Sequence, residues 1–434
     1  MHDNKTKITH FLYRRLLGEH PGEGAMQFLK NMSWIGASFA LAKGISSLVN
    51  IAAGRMLGPG EYGKINILVS IGAIISPFVI AGMNYSIIKY GAIKEERDRV
   101  FCTAALVFPA LTLLTGSFVV FFRTALGILL GISVKMLLLA LLYAVATSAF
   151  LMASSMQQSL GDFSKRGLSE IVFSLLLAVG FFTGILYLGR VYDVMAWAYI
   201  AAFSLPALYW LLRIGGSVTP GLLDKKRFFD MSEYGAYYFG VGVGSFLIFN
   251  VQSLVLNAFL TPREVGIYAA YNTATIGAAG YLNYALATVL FPKATASTNR
   301  KRLWDMCVRS WKYLAPAAVL LFVLAEALIL TLMGKNQYGM DPQLMLLFAL
   351  CGTLMLVQSS LTQIVFSEGV KAFRLTTTIS LGTGVFNFIV CLLLIPHFKI
   401  AGAAVAFILT YAFMLAWLWK MKDPYIQKNA ADME

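Results

Sequence analysis

The 434-residue sequence is poor in charge: Asp, Glu, Lys and Arg make up 13% of it, about half the share usual in soluble domains. So few charges cannot cover a water-soluble globule of this size, and the 58% of hydrophobic residues places most of the surface in lipid. Cysteine is scarce, and Cys102, Cys307, Cys351 and Cys391 show neither paired nor metal-type spacing, which excludes a disulfide framework and a zinc site. Histidine is scarce too. His2, His10 and His20 precede the first apolar run and His397 lies in a short late connection, so no Ser-His-Asp or Cys-His arrangement is available. There is no phosphate-binding glycine loop, and no polar connection is long enough to hold a soluble catalytic domain. These absences favour translocation over catalysis, with no catalytic residue, cofactor or metal expected. The net charge of +14 would suit a nucleic acid only on a basic face, whereas here the Lys and Arg sit between apolar runs.

Those runs are the main signal. A bilayer core about 30 Å thick needs about 20 apolar residues per helix. Runs of that kind are expected at 33–53, 65–88, 100–122, 136–156, 168–188, 192–212, 236–259, 265–291, 312–333, 344–366, 375–395 and 400–420. The sequence therefore predicts an all-α integral membrane protein with about twelve transmembrane helices. The N-terminus and every second connection hold 26 of the 35 Lys and Arg. Under the positive-inside rule both termini are cytoplasmic, as an even number of crossings requires. Residues 1–32 read as a cytoplasmic, interfacial segment, because they lack the small-residue cleavage site of a signal peptide.

The chain also repeats itself. Leu57-Gly-Pro-Gly-Glu-Tyr-Gly63, after the first run, matches Leu260-Thr-Pro-Arg-Glu-Val-Gly266, after the seventh, at Leu, Pro, Glu and Gly. Pro ends one helix and Glu suits the positive N-terminal end of the next, which explains one copy but not two in register. Two six-helix lobes are expected, related by a pseudo-two-fold axis along the membrane normal: an N-lobe at 33–212, a cytoplasmic linker at 213–234, a C-lobe at 235–421 and a cytoplasmic tail at 422–434. Transporters built from such repeats bind near the midplane between them.

Polar groups inside the runs are the site candidates, since a charge at the bilayer centre costs at least about 2.5 kcal/mol. Lys43, Ser47, Asn50 and Gly54 share one face of the first helix, with Arg55 at its end. Carried over by the repeat, that face becomes Phe246, Asn250, Ser253 and Asn257 of the seventh helix. Asn84 and Lys89 belong to the second helix, and Asn272 and Asn283 to the eighth. Each Asn could equally bridge packed helices. Glu326, inside the ninth run, is a candidate for proton or sodium coupling, or for pairing with a Lys or Arg across the bundle.

Gly54-Arg-Met-Leu-Gly-Pro-Gly-Glu-Tyr-Gly63, Asn387, Leu394-Ile-Pro396 and Ile400-Ala-Gly-Ala-Ala-Val-Ala406 resemble the polysaccharide-transporter branch of the multidrug, oligosaccharidyl-lipid and polysaccharide flippase superfamily, the Wzx-type flippases of O-antigen and capsule export. The resemblance spans nearly the whole chain. It implies two lobes around a central, largely cationic cavity exposed to each side of the membrane in turn. The implied substrate is an oligosaccharide on a polyprenyl pyrophosphate, and enzymes of polymer assembly, a polymerase and chain-length proteins, are the implied protein partners. Lys43 fits an anionic pyrophosphate. A multidrug cation antiporter of the same superfamily should keep an acid in its first or seventh helix, and these have none. A glycan polymerase or acyltransferase should carry a large external loop with Arg, His or Asp, and the external connections here are short.

Overall fold

The computed structural model describes residues 23–215, 224–296, 299–367 and 370–426, and the described residues form helices without strands. The segment holding His2, His10 and His20, the middle of the linker and the end of the tail lie outside the described residues.

Helix α1, Glu23–Ile80, runs 58 residues with a break at Gly58, whose φ of 75° is open to glycine at little steric cost. Its apolar stretch Trp34–Ile80 is 47 residues long, about 70 Å of helix against a core of about 30 Å, so it crosses twice. The return is visible in its neighbours. The Trp34 indole donates to the Ser164 carbonyl at 3.4 Å, and Gly91, at the end of α2 (Met83–Gly91), lies against Ser159. Helices α3 (Arg97–Phe121), α5 (Val134–Ser159), α6 (Phe163–Leu188) and α7 (Tyr192–Gly215) complete six crossings, with the short α4 (Arg123–Leu130) at the same end as Gly58.

The second half repeats the plan. Helices α8 (Lys225–Phe249) and α9 (Val251–Phe259) bend by 45° at Asn250 and form one crossing. Helix α10 (Pro262–Asn272), a π-helical turn (Thr273–Gly277) and α11 (Ala278–Ala296) form the next. Then follow α12 (Arg300–Tyr338), α13 (Pro342–Phe366) and α14 (Val370–Met421), before the short α15 (Asp423–Ile426). Helix α14 reverses at Lys399. Its arms are joined by the Thr410 hydroxyl donating to the Asn387 amide oxygen at 2.9 Å and by the stacked rings of Phe386 and Phe413. The described residues make twelve crossings in two six-helix lobes.

Two sequence features find their structural reason here. The bend at Asn250 interrupts the helical ladder, and Asn387 donates to the Leu247 carbonyl at 2.6 Å, supplying in lipid a partner that water cannot. The small residues Ala403, Ala404 and Ala406 are fully buried, where they let neighbouring backbones approach closely.

Candidate functional site

The two lobes meet most closely where the repeated motifs lie. A Cβ on Gly63 would stand 1.8 Å from the Pro262 carbonyl oxygen, and one on Gly266 would stand 1.8 Å from the Pro59 carbonyl oxygen. The contact is reciprocal, as a pseudo-two-fold axis requires. Other bonds close the same end: Tyr338 donates to the Gly54 carbonyl at 2.7 Å, Arg55 to the Leu332 carbonyl at 3.3 Å, and Asn257 to the Leu130 carbonyl at 3.0 Å. The motif carboxylates serve local ends. Glu264 forms a capping box with Thr261 at the start of α10, whereas Glu61 pairs with Lys64 at 2.6 Å and accepts from the Tyr192 backbone N–H at 2.8 Å, at the start of α7.

Away from this seal a half-open cavity of about 370 Å³ lies between the lobes, within the range of small-molecule sites. The return arm of α1 contributes Gly72, Ser76 and Pro77, α2 contributes Asn84 and Tyr85, and α5 contributes Tyr143 and Thr147. From the other lobe come Tyr238, Phe239, Gly242 and Ser245 of α8, and Asn250 at the bend. None of the described residues lining it is charged. The resemblance implied a largely cationic cavity. This one is lined mainly by apolar and aromatic residues, with amide and hydroxyl groups among them.

On the α1–α11 side the seam opens. Helix α10 packs along the return arm of α1, but beyond the π turn α11 leans on α13 and leaves the first lobe, with the Ser47 and Tyr281 hydroxyls still bridging at 3.0 Å. Gly44 and Gly280 both face open space. Lys43, one turn from Ser47 on the same face of α1, lies beside this opening, the slot between α1 and α11. Lys43 and Arg166 both act electrostatically on the buried carboxylate of Glu170, and Arg166 acts on Tyr85 as well.

The residues singled out from the sequence fall in several places. Asn84 and Asn250 line the cavity. Lys43 lies at the slot and Ser47 bridges the lobes, while Asn50 accepts from Tyr199 at 3.2 Å within its own lobe. Arg55 and Asn257 belong to the seal. Lys89 sits over the Tyr234 ring at 3.9 Å, at the end remote from the seal. Ser253 is buried in α9, Asn272 keeps a buried amide oxygen without a partner, and Asn283 accepts from Ser359. Glu326 is fully buried, with one carboxylate oxygen accepting from Thr275 in the π turn and the other without a partner.

Sequence reading missed Glu170, Arg166 and Tyr238. Glu170 was legible as an acid two residues inside the fifth predicted run, at 168–188. Tyr238 carries no such signal, because its importance comes from the ring of Tyr85 stacked on it. No group of His, Cys, Asp and Glu that could hold a metal ion occurs among the described residues.

A two-lobe helical membrane fold with an inter-lobe cavity is the architecture of transporters that expose one site to each side of a membrane in turn. The chain belongs to the polysaccharide biosynthesis protein family, whose model matches residues 28–296. No curated protein matches the sequence. Among solved structures, the fold is similar to the lipid II flippase MurJ in an inward closed conformation, with TM-score 0.65, 15% identity and coverage of 88% of this chain and 87% of that one. It is also similar to a multidrug resistance MATE family transporter of the MOP superfamily in an inward-facing conformation, with TM-score 0.60, 15% identity and coverage of 91% and 96%. A third similar structure is the Vibrio cholerae MATE transporter VcmN in the bent form, with TM-score 0.55, 16% identity and coverage of 92% and 98%.

Proposed function

We propose that the protein is a flippase that carries polyprenyl-pyrophosphate-linked oligosaccharide units across the cytoplasmic membrane for surface polysaccharide synthesis, by alternating access. The observation that carries this reading is the inter-lobe cavity, with the reciprocal glycine contacts joining the lobes at one end. In this reading the glycan occupies the cavity and the pyrophosphate rests at the slot, where Lys43 and Arg166 outweigh Glu170 by one positive charge. The polyprenyl chain stays in lipid.

We assign the linker, the slot and both termini to the cytoplasmic side and the Gly58 end to the outside, a reading that the distribution of basic residues supports. Residues 33–212 and 235–421 would then move as two lobes joined by the 213–234 linker. Glu326, buried with an unpartnered oxygen, is the group we assign to coupling with a proton or sodium ion. Substrate moves without bond chemistry, so the protein is no enzyme, and the exposed cytoplasmic connections are where a polymerase or chain-length protein would dock.

The test is depletion in the native cell, followed by extraction and membrane-sided labelling of lipid-linked glycans. Build-up in the cytoplasmic leaflet with loss of surface polymer is the expected result. Unchanged lipid-linked glycans with altered drug sensitivity would instead assign the protein to cation and drug antiport.

A further inference from the structure

We propose that the cavity selects a neutral sugar, stacked on the exposed face of Tyr85, and excludes acidic sugars. This rests on the flippase reading and deepens it by naming the class of glycan. Three observations support it.

The first is charge. The described residues lining the cavity include no Asp, Glu, Lys, Arg or His. A uronate carboxylate brought there would lose its water and find no counter-charge, whereas a hydroxyl would find partners. Lys89, beyond this lining, is engaged with the rings of Tyr90 and Tyr234.

The second is the aromatic platform. Tyr85 of one lobe and Tyr238 of the other stack with centroids 3.7 Å apart and an interplanar angle of 11°. Tyr85 is nevertheless 41% exposed, so part of its ring is free to meet a ligand. The apolar C–H face of a pyranose matches such a ring.

The third is the polar rim. The side chains of Asn84, Ser245 and Asn250 line the cavity and make no hydrogen bond to protein among the described residues. Two amides and a hydroxyl offer both donors and acceptors, and sugar hydroxyls need both. They come from both lobes, so a bound sugar would bridge them.

The experiment uses the full chain in proteoliposomes with two polyprenyl-pyrophosphate disaccharides, one built from neutral hexoses and the other differing only by oxidation of its terminal hexose to the uronate. Flipping is read by digestion with an impermeant glycosidase. The neutral probe should cross at least about tenfold faster than the acidic one. Ser245→Lys should raise the rate for the acidic probe, and Tyr85→Leu should slow the neutral probe more than Tyr85→Phe does. Equal rates for the two probes would overturn the neutral selectivity while leaving the flippase reading intact. Failure of folded protein to move either probe would overturn the flippase reading, and this inference with it.

Discussion

Gly63→Ala offers the most direct perturbation of the transport cycle. The new Cβ would lie 1.8 Å from the Pro262 carbonyl oxygen, where ordinary carbon-to-oxygen contacts settle near about 3.3 Å. The obstacle is backbone at the first turn of α10, so no rotamer change relieves it and the helices must part by about 1.5 Å. Overpacking of this kind costs typically about 1–3 kcal/mol, and a rigid neighbour puts it near the upper end. A penalty of about 3 kcal/mol, borne by the sealed state and absent once the seal opens, shifts that equilibrium about 100-fold. The variant should therefore insert normally and favour the outward-open state. Gly266→Ala should do the same, because it meets Pro59 at the same distance. The assay is labelling of a single-cysteine Thr273→Cys variant by an impermeant maleimide added from outside. Thr273 lies below the seal, with its hydroxyl 3.4 Å from that of Tyr62. Faster labelling is expected. An unchanged labelling rate with a lowered melting temperature would refute the gate and leave the glycines as static packing.

Other outcomes are expected elsewhere. Lys43→Ala should insert and fold but lose most transport, with Lys43→Arg keeping part; normal transport by the alanine variant at wild-type abundance would remove the slot cation from the mechanism. Glu326→Gln preserves shape and a Thr275 hydrogen bond, so abundance should hold while the response of transport to an imposed proton or sodium gradient disappears. A retained response would exclude Glu326 from coupling. Asn387→Ala strips the Leu247 carbonyl and the Thr410 hydroxyl of a buried partner, at about 1–3 kcal/mol, and should lower the melting temperature in detergent.

The crossings were legible because each apolar run states its own length, and Gly58 and Lys399 mark reversals between runs that the helices nearly bridge. The motif copies at Leu57 and Leu260 announced the duplication, but their local chemistry reads as helix capping. That Gly63 and Gly266 face each other's motif is a fact of assembly, visible only when the lobes are placed together. The face carrying Lys43, Ser47, Asn50 and Gly54 was identifiable by periodicity, yet its members end up in four settings: a slot, a bridge, a lobe interior and a seal. Helical phase says which residues share a side, and the neighbouring helix decides what that side meets. The neutral lining of the cavity was hidden for the same reason, since most of it comes from α5, α8 and the return arm of α1 rather than from the charged first arm.

The absence of any loop at Gly58 has a mechanical consequence. Both arms of α1 leave that residue as helix, so the hairpin can transmit torque along its length like a stiff rocker. Its tip carries Gly63, and its far end continues through the break at Ala81 and Gly82 into the turn that presents Tyr85. A tilt that frees the tip from Pro262 would press the other end toward α8, where Tyr85 already meets Tyr238. Opening on one side of the membrane and closure on the other would then be coupled through one helical hairpin.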